Sequence, residues 1–174
     1  MSAIKQEACI DRTTGLLNRA ALDDKLSDAV RMRSQTDGQL GCILIDIDHF
    51  KSINDRYGHA VGDQVLQEVS TRLRTTIRAD DAVFRYGGEE FCVIVEDGDA
   101  SSSMLVAERA LSALSAQPIS AISVTASAGV AAWQSSFRSS EDLLLAADRA
   151  LYNAKSSGRA HAQQASVAAV PNAG

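Results

Sequence analysis

A chain of 174 residues, 45% of them hydrophobic and carrying a formal net charge of −5, has room for one domain, and a chain of this length buries about 70% of its unfolded surface. The negative balance argues against a nucleic-acid track, which rests on clustered cations, and leaves small anionic ligands open where a metal mediates. No apolar run approaches the ~20 residues needed to cross a bilayer, and Met1 to Glu7 lacks the apolar centre of a signal peptide, so a cytoplasmic protein with no membrane contact by this segment is expected.

The spacing of Leu22, Leu26, Ala29 and Val30 predicts a helix from about Arg19 to Arg33, capped by Asn18. Gln39 to Asp46 contains Cys42-Ile43-Leu44-Ile45, short, unbroken and apolar, which reads as a central strand buried on both faces. His49 to Tyr57 reads as a short helix stopped by Gly58, and Gly62 as the start of a longer one reaching Ile77, with Val61, Val65, Val69, Leu73 and Ile77 in one stripe. Ala82 to Tyr86 and Cys92 to Val95 form a hairpin whose turn is Gly87-Gly88, with φ > 0 expected there. Ser101 to Gln117 is a further helix with Pro118 just past its end. Ile122 to Val130 alternates as a strand with one face covered does, and Ser140 caps a last helix running to about Ser156, stopped by Gly158. The segment from Ala162 to Gly174, rich in Ala, Gln and Ser, reads as a disordered tail. This order fits an α+β fold, an α/β sandwich with a ferredoxin-like β-α-β-β-α-β core and a mostly antiparallel central sheet flanked by helices, with the domain spanning residues 1–161. Cys42 and Cys92 lie in apolar runs, where a thiol acts as a small hydrophobe, and the three histidines make no zinc cluster.

The chemistry concentrates at strand ends. Asp46 and Asp48 stand where the first strand runs out, and Glu89 and Glu90 follow the glycine turn. In a ferredoxin-like sheet those places can be neighbours, and carboxylates that converge repel unless a divalent cation lies between them. Acidic residues at strand ends are also commonly just solvated, and spacing does not separate the two. Their company favours the site: Lys51, Asn54 and Asp63 follow Asp46, while Lys155 and Arg159 end the last helix. An Asn and an Asp can together read a guanine edge, and the cations can hold a triphosphate.

With these residues in view the chain resembles the GGDEF family of diguanylate cyclases from about Asp11 to Arg159. The signature reads Gly87-Gly88-Glu89-Glu90-Phe91, with Asp11-Arg12-Thr13-Thr14-Gly15-Leu16-Leu17-Asn18-Arg19 before it, Asp46-Ile47-Asp48-His49-Phe50-Lys51-Ser52-Ile53-Asn54-Asp55, Gly58-His59, Gly62-Asp63, and Ala147-Asp148-Arg149-Ala150-Leu151-Tyr152-Asn153-Ala154-Lys155 with Gly158-Arg159 after it. Thr13 stands where the family usually has Leu. The fold implied is that of nucleotidyl cyclase and polymerase palm domains, and the implied reaction condenses two GTP into cyclic di-GMP with loss of two pyrophosphates. Carried over by position, Asp46, the Ile47 carbonyl and Glu89 would hold Mg²⁺ (Mn²⁺ as a substitute), with Glu90 assisting a second ion or deprotonation of the 3′-hydroxyl. Asn54 and Asp63 would read guanine, Lys51, Lys155 and Arg159 would contact phosphates, and Gly87 and Gly88 would let the nucleotide lie against the turn. His49 and Phe50 fall in the same nucleotide-binding segment.

The resemblance also implies a homodimer of half-sites and a product site in which Arg78 and Asp81 form the inhibitory Arg-x-x-Asp pattern. A helix C-terminus and polar turn would explain those residues equally well if they stood elsewhere. Arg109 matches a secondary product-binding arginine of some members, although an exposed helical arginine is the plainer reading. The competing function is a catalytically silent cyclic di-GMP receptor, which usually shows an eroded signature. An N-terminal sensory or receiver domain, absent from this chain, is a further expectation.

Overall fold

The computed structural model describes residues 8–33 and 35–166. In chain order they form α1 (Arg19–Arg33), β1 (Leu40–Ile47), α2 (Phe50–Tyr57), α3 (His59–Thr76), β2 (Ala82–Gly87), β3 (Glu90–Glu96), α4 (Ala100–Ser115), β4 (Ala126–Ala132), α5 (Ser140–Ser156) and β5 (Ala162–Gln164). The sheet order is β2-β3-β1-β4-β5, antiparallel except for the β4–β5 pair. The first four strands with their crossover helices make the expected ferredoxin-like core.

β1 is buried along its whole length because both faces are covered. Ile43, Ile45 and Ile47 point to one side, against Val65, Leu66, Val69 and Leu73 of α3 and Val106, Ala107, Ala110, Leu111 and Leu114 of α4. Leu40, Cys42 and Leu44 point to the other, against Leu22 and Leu26 of α1 and Leu143, Ala147 and Leu151 of α5. The period of two in a strand divides one apolar run between two cores. Cys42 and Cys92 sit inside the second, with their Sγ atoms 3.8 Å apart and unlinked, and burial pushes the Cys92 thiol up. Asn18 caps α1, its Oδ1 accepting from Ala21 N at 3.1 Å.

Four expectations need correction. α3 starts at His59 rather than Gly62: Gly58, at φ 88, closes α2 by donating to Asn54 O and opens α3 in the same step, so the intervening residues need no separate loop. β4 starts at Ala126 rather than Ile122, because Ile119 and Ile122 exchange backbone hydrogen bonds around Ser120 and Ala121, both at positive φ, a two-residue reverse turn that uses up that part of the alternation. β4 is also covered on both faces. A Cβ on Gly129 would stand 2.1 Å from Ala147 O and 2.2 Å from Leu151 N, so its small residues face the backbone of α5 rather than water. Finally, Ala162–Gln164 is not disordered tail: it pairs in parallel with β4, Ala128 opposite Ala162. An open strand edge offers backbone groups to any extended segment, and polar composition does not reveal that. Ala165 N continues the pairing by donating to Val130 O at 2.7 Å, and residues 167–174 of the expected tail lie outside the described residues.

Candidate active site

The register of β1 on β3 places Asp46 opposite Glu90, and Ile47 N donates to Glu89 O at 3.2 Å. Carboxylates distant in sequence therefore share one end of the sheet. Asp46 is buried and receives Lys155 Nζ of α5 at 2.8 Å. Burial raises the Asp46 carboxyl above its ordinary value, the Lys155 ammonium opposes this, and the Glu89 and Asp48 charges add to it. Glu90 is raised first by burial and then by Asp46, again against Lys155. One ammonium thus faces a surplus of negative charge.

Among the described residues no three His, Cys, Asp or Glu side chains converge as a metal cluster. A cation at this sheet end would take Asp46, Glu89, a backbone carbonyl such as that of Ile47, and oxygens of its own ligand. That is the habit of Mg²⁺, which uses one or two protein carboxylates together with phosphate oxygens. The all-oxygen donor set and the unbalanced charge fit such an ion.

The turn between β2 and β3 is an open shelf. A Cβ added at Gly87 or Gly88 would meet nothing within 4 Å, and Gly88 has φ 41, whereas Gly87 does not adopt positive φ. The register shifts between Arg85 and Gly87, and Arg85 braces the turn by donating from Nε and Nη2 to Gly88 O at 3.1 and 2.6 Å while Nη1 reaches Asp11 at 3.0 Å. Asp11 is itself held by Thr14, and the Thr14 and Arg85 hydrogen bonds outweigh its burial and keep its carboxyl below the usual range. Neither Asp11 nor Arg85 had been given a role from sequence. Arg85 stands two residues before the glycine pair and Asp11 opens the first stretch of the family resemblance, but nothing local joins them across 74 residues.

The helix pair α2–α3 supplies a second polar feature. Asn54 Oδ1 is buried with no hydrogen-bond partner, against Gly62, where a Cβ would come within 1.8 Å of that oxygen. A buried orphan acceptor is costly and marks a place where a ligand donor fits. Asp63, the next residue, is exposed. Phe50 is buried in the core beside Gly62, and His49 is exposed at φ 56 ahead of α2. Lys51 extends into solvent 3.7 Å from Asp55. Arg159 is exposed at φ 63 beyond α5.

At the start of β2, Asp81 points inward: its Oδ1 accepts from Glu96 N at 3.1 Å and its buried Oδ2 has no partner. Asp81 N donates to Arg78 O at 3.2 Å, closing the turn that leaves Arg78 exposed. Arg109 is exposed on α4.

A ferredoxin-like sheet with paired carboxylates at the end of its central strand and a glycine shelf beside them places the chain among α+β domains of the ferredoxin-like kind. Residues 8–161 match the family described as diguanylate cyclase, GGDEF domain, and the chain belongs to that family. It is 40% identical over 159 residues to diguanylate cyclase DgcP of Pseudomonas aeruginosa, covering 89% of this chain and 24% of that protein. It is likewise 40% identical over 158 residues to response regulator PleD of Caulobacter vibrioides, covering 87% of this chain and 35% of that one. The chain thus spans about a quarter to a third of those relatives. Among solved structures, the GGDEF domain of DgcB from Caulobacter crescentus in complex with c-di-GMP superposes with a TM-score of 0.87 at 32% identity, covering 91% of this chain and 96% of that one. The active GGEEF domain of a Vibrio cholerae diguanylate cyclase superposes with a TM-score of 0.83 at 30% identity, covering 88% and 99%.

Proposed function

We propose that this domain is a diguanylate cyclase, condensing two GTP molecules into cyclic di-GMP and two pyrophosphates. The observation that carries the reading is the meeting of Asp46, Glu89 and Glu90 at one sheet end beside a side-chain-free shelf. Asn54 Oδ1 accepts from the guanine edge, with Asp63 as its partner in base recognition. Lys51, Lys155 and Arg159 hold the triphosphate, whose charge draws Lys155 away from Asp46. Asp46, Glu89 and the Ile47 carbonyl would hold Mg²⁺, which when bound lowers the pKa of the attacking hydroxyl and stabilises charge on the departing pyrophosphate. Glu90, its carboxyl raised by burial and by Asp46, is suited to receive the 3′-hydroxyl proton. The 3′-oxygen bonds to the α-phosphorus of the second GTP, and the bond from that phosphorus to the bridging oxygen breaks, pyrophosphate leaving with the electron pair. A second such step closes the ring.

Each domain holds one GTP in this reading, so catalysis needs two copies facing each other. Product acts back through Arg78 and Asp81, with Arg109 as an accessory contact. GTP as substrate makes the cytoplasm the working compartment; among the described residues no helix is long and apolar enough to cross a membrane. The test is incubation of the folded chain with GTP and Mg²⁺ across a range of protein concentrations. Cyclic di-GMP formed at a rate rising faster than linearly is the expected result. Product binding without turnover at any concentration would instead select the silent receptor.

A further inference from the structure

We propose that Asp48 is a positioning residue for the nucleotide, holding the bend after α5 that carries Arg159; this rests on the reading of Arg159 as a phosphate contact. Asp48 is only 5% exposed and lies two residues beyond Asp46. Its carboxylate accepts from Thr125 Oγ1 at 2.7 Å, Ser127 Oγ at 2.7 Å and Ala160 N at 3.1 Å, and its own N–H donates to Thr125 O at 2.9 Å. These partners are neutral, so the carboxylate works here as a fixed array of acceptors.

The bend it holds is unusual. Gly158, Arg159 and Ala160 have φ of 125, 63 and 55 in succession. Left-handed backbone is disfavoured for residues that carry a Cβ and persists where the surroundings impose it. Arg159 N donates to Ala154 O and His161 Nδ1 lies 2.8 Å from Arg159 O, but those contacts stay within the α5 end. The Ala160 N–H joins the bend to Asp48 and to Ser127 Oγ at 3.1 Å. The end of α5 and the bend beyond it are therefore tied to the end of β1 twice, through Lys155 on Asp46 and through Ala160 on Asp48, the residue just past the strand. Releasing the second tie leaves the bend held to β4 by Ser127 Oγ, which accepts from the Ala160 N–H, and by Ala128 N, which donates to His161 O at 3.0 Å, and so loosens the left-handed conformation that presents Arg159.

The experiment measures binding of 3′-deoxy-GTP with Mg²⁺ by calorimetry for Asp48→Ala, Arg159→Ala and the double variant, and hydrogen exchange of the Ala160 amide without nucleotide. Arg159→Ala removes a charge-assisted contact and weakens binding about ten- to hundred-fold. Asp48→Ala is expected to fall in the same range, to deprotect the Ala160 amide, and to add nothing in the Arg159→Ala background, since residues acting through one contact are not additive. Asp48→Asn should rescue both readouts, because its amide oxygen accepts from Thr125 and Ala160 while the Ser127 hydroxyl turns to accept from the amide nitrogen. Should Asp48→Ala fail to fold, Thr125→Val strips one donor that orients the carboxylate and gives a smaller loss, about three-fold, again absent beside Arg159→Ala. Losses that multiply in the double variant overturn the proposal, as does full affinity with a deprotected Ala160 amide. Wild-type affinity in Arg159→Ala overturns it together with the phosphate reading of that residue, whereas the cyclase assay reads the wider function separately.

Discussion

Replacing Gly62 with Ala separates stability from nucleotide recognition. The new Cβ stands 1.8 Å from Asn54 Oδ1, 3.0 Å from Asn54 Cγ and 3.3 Å from Phe50 Cζ, so the amide oxygen must retreat by roughly 1.6 Å to reach ordinary contact. Alanine in a helix gains about 0.8–1.0 kcal/mol over glycine, and turning one side chain off its rotamer costs about 0.5–1.5 kcal/mol. The two nearly cancel, so the urea midpoint should move little. The orphan acceptor, however, is no longer where a guanine donor would meet it. Leaving such a donor unmatched costs about 1–3 kcal/mol, which is roughly five- to 150-fold in affinity. Calorimetry with 3′-deoxy-GTP, run beside urea denaturation, reads both quantities, and adding Gly62→Ala to Asn54→Ala should cause no further loss because the clash has gone. Binding within two-fold of wild type in a stably folded Gly62→Ala protein would show that Asn54 Oδ1 is not placed for the base.

Gly129→Ala should destabilise the fold by about 3 kcal/mol or more, because its Cβ meets backbone atoms of Ala147 and Leu151 that cannot swing aside; a urea-derived change under 1 kcal/mol would refute the close approach of α5. Asp46 and Glu90 have folded carboxyls raised above their unfolded values of 3.8 and 4.5, so what they add to metal-free stability is complete below those values and is lost as pH climbs through the raised folded ones. Divalent cation binds the ionised forms, so the rise in Tm caused by Mg²⁺ should grow from pH 4 to pH 7, and an equal rise at both would contradict a carboxylate site. Arg78→Ala should raise the cyclic di-GMP concentration needed for half-inhibition about ten-fold or more, measured as turnover against added product; unchanged inhibition would move the product site elsewhere.

The order of elements, the buried central strand and the signature carboxylates were legible because each rests on local chemistry: Asn18 caps α1, Gly58 ends α2, and Cys42-Ile43-Leu44-Ile45 has no polar residue to face solvent. The residues that position the site were not. Arg85 on Asp11, Asp48 on the Ala160 N–H and Lys155 on Asp46 join segments dozens of residues apart, and a side chain's partner across such distances is decided by sheet register rather than by neighbours in the chain. The same cause hid β5, whose pairing uses backbone groups that every residue carries. Sequence by itself determined which acids, amides and cations are present and on which kind of element each stands. Only the tertiary structure decided that Asp46 lies opposite Glu90, that Asn54 Oδ1 is left without a partner, and that Asp81 turns inward, because packing and strand pairing, not composition, choose what each polar atom faces.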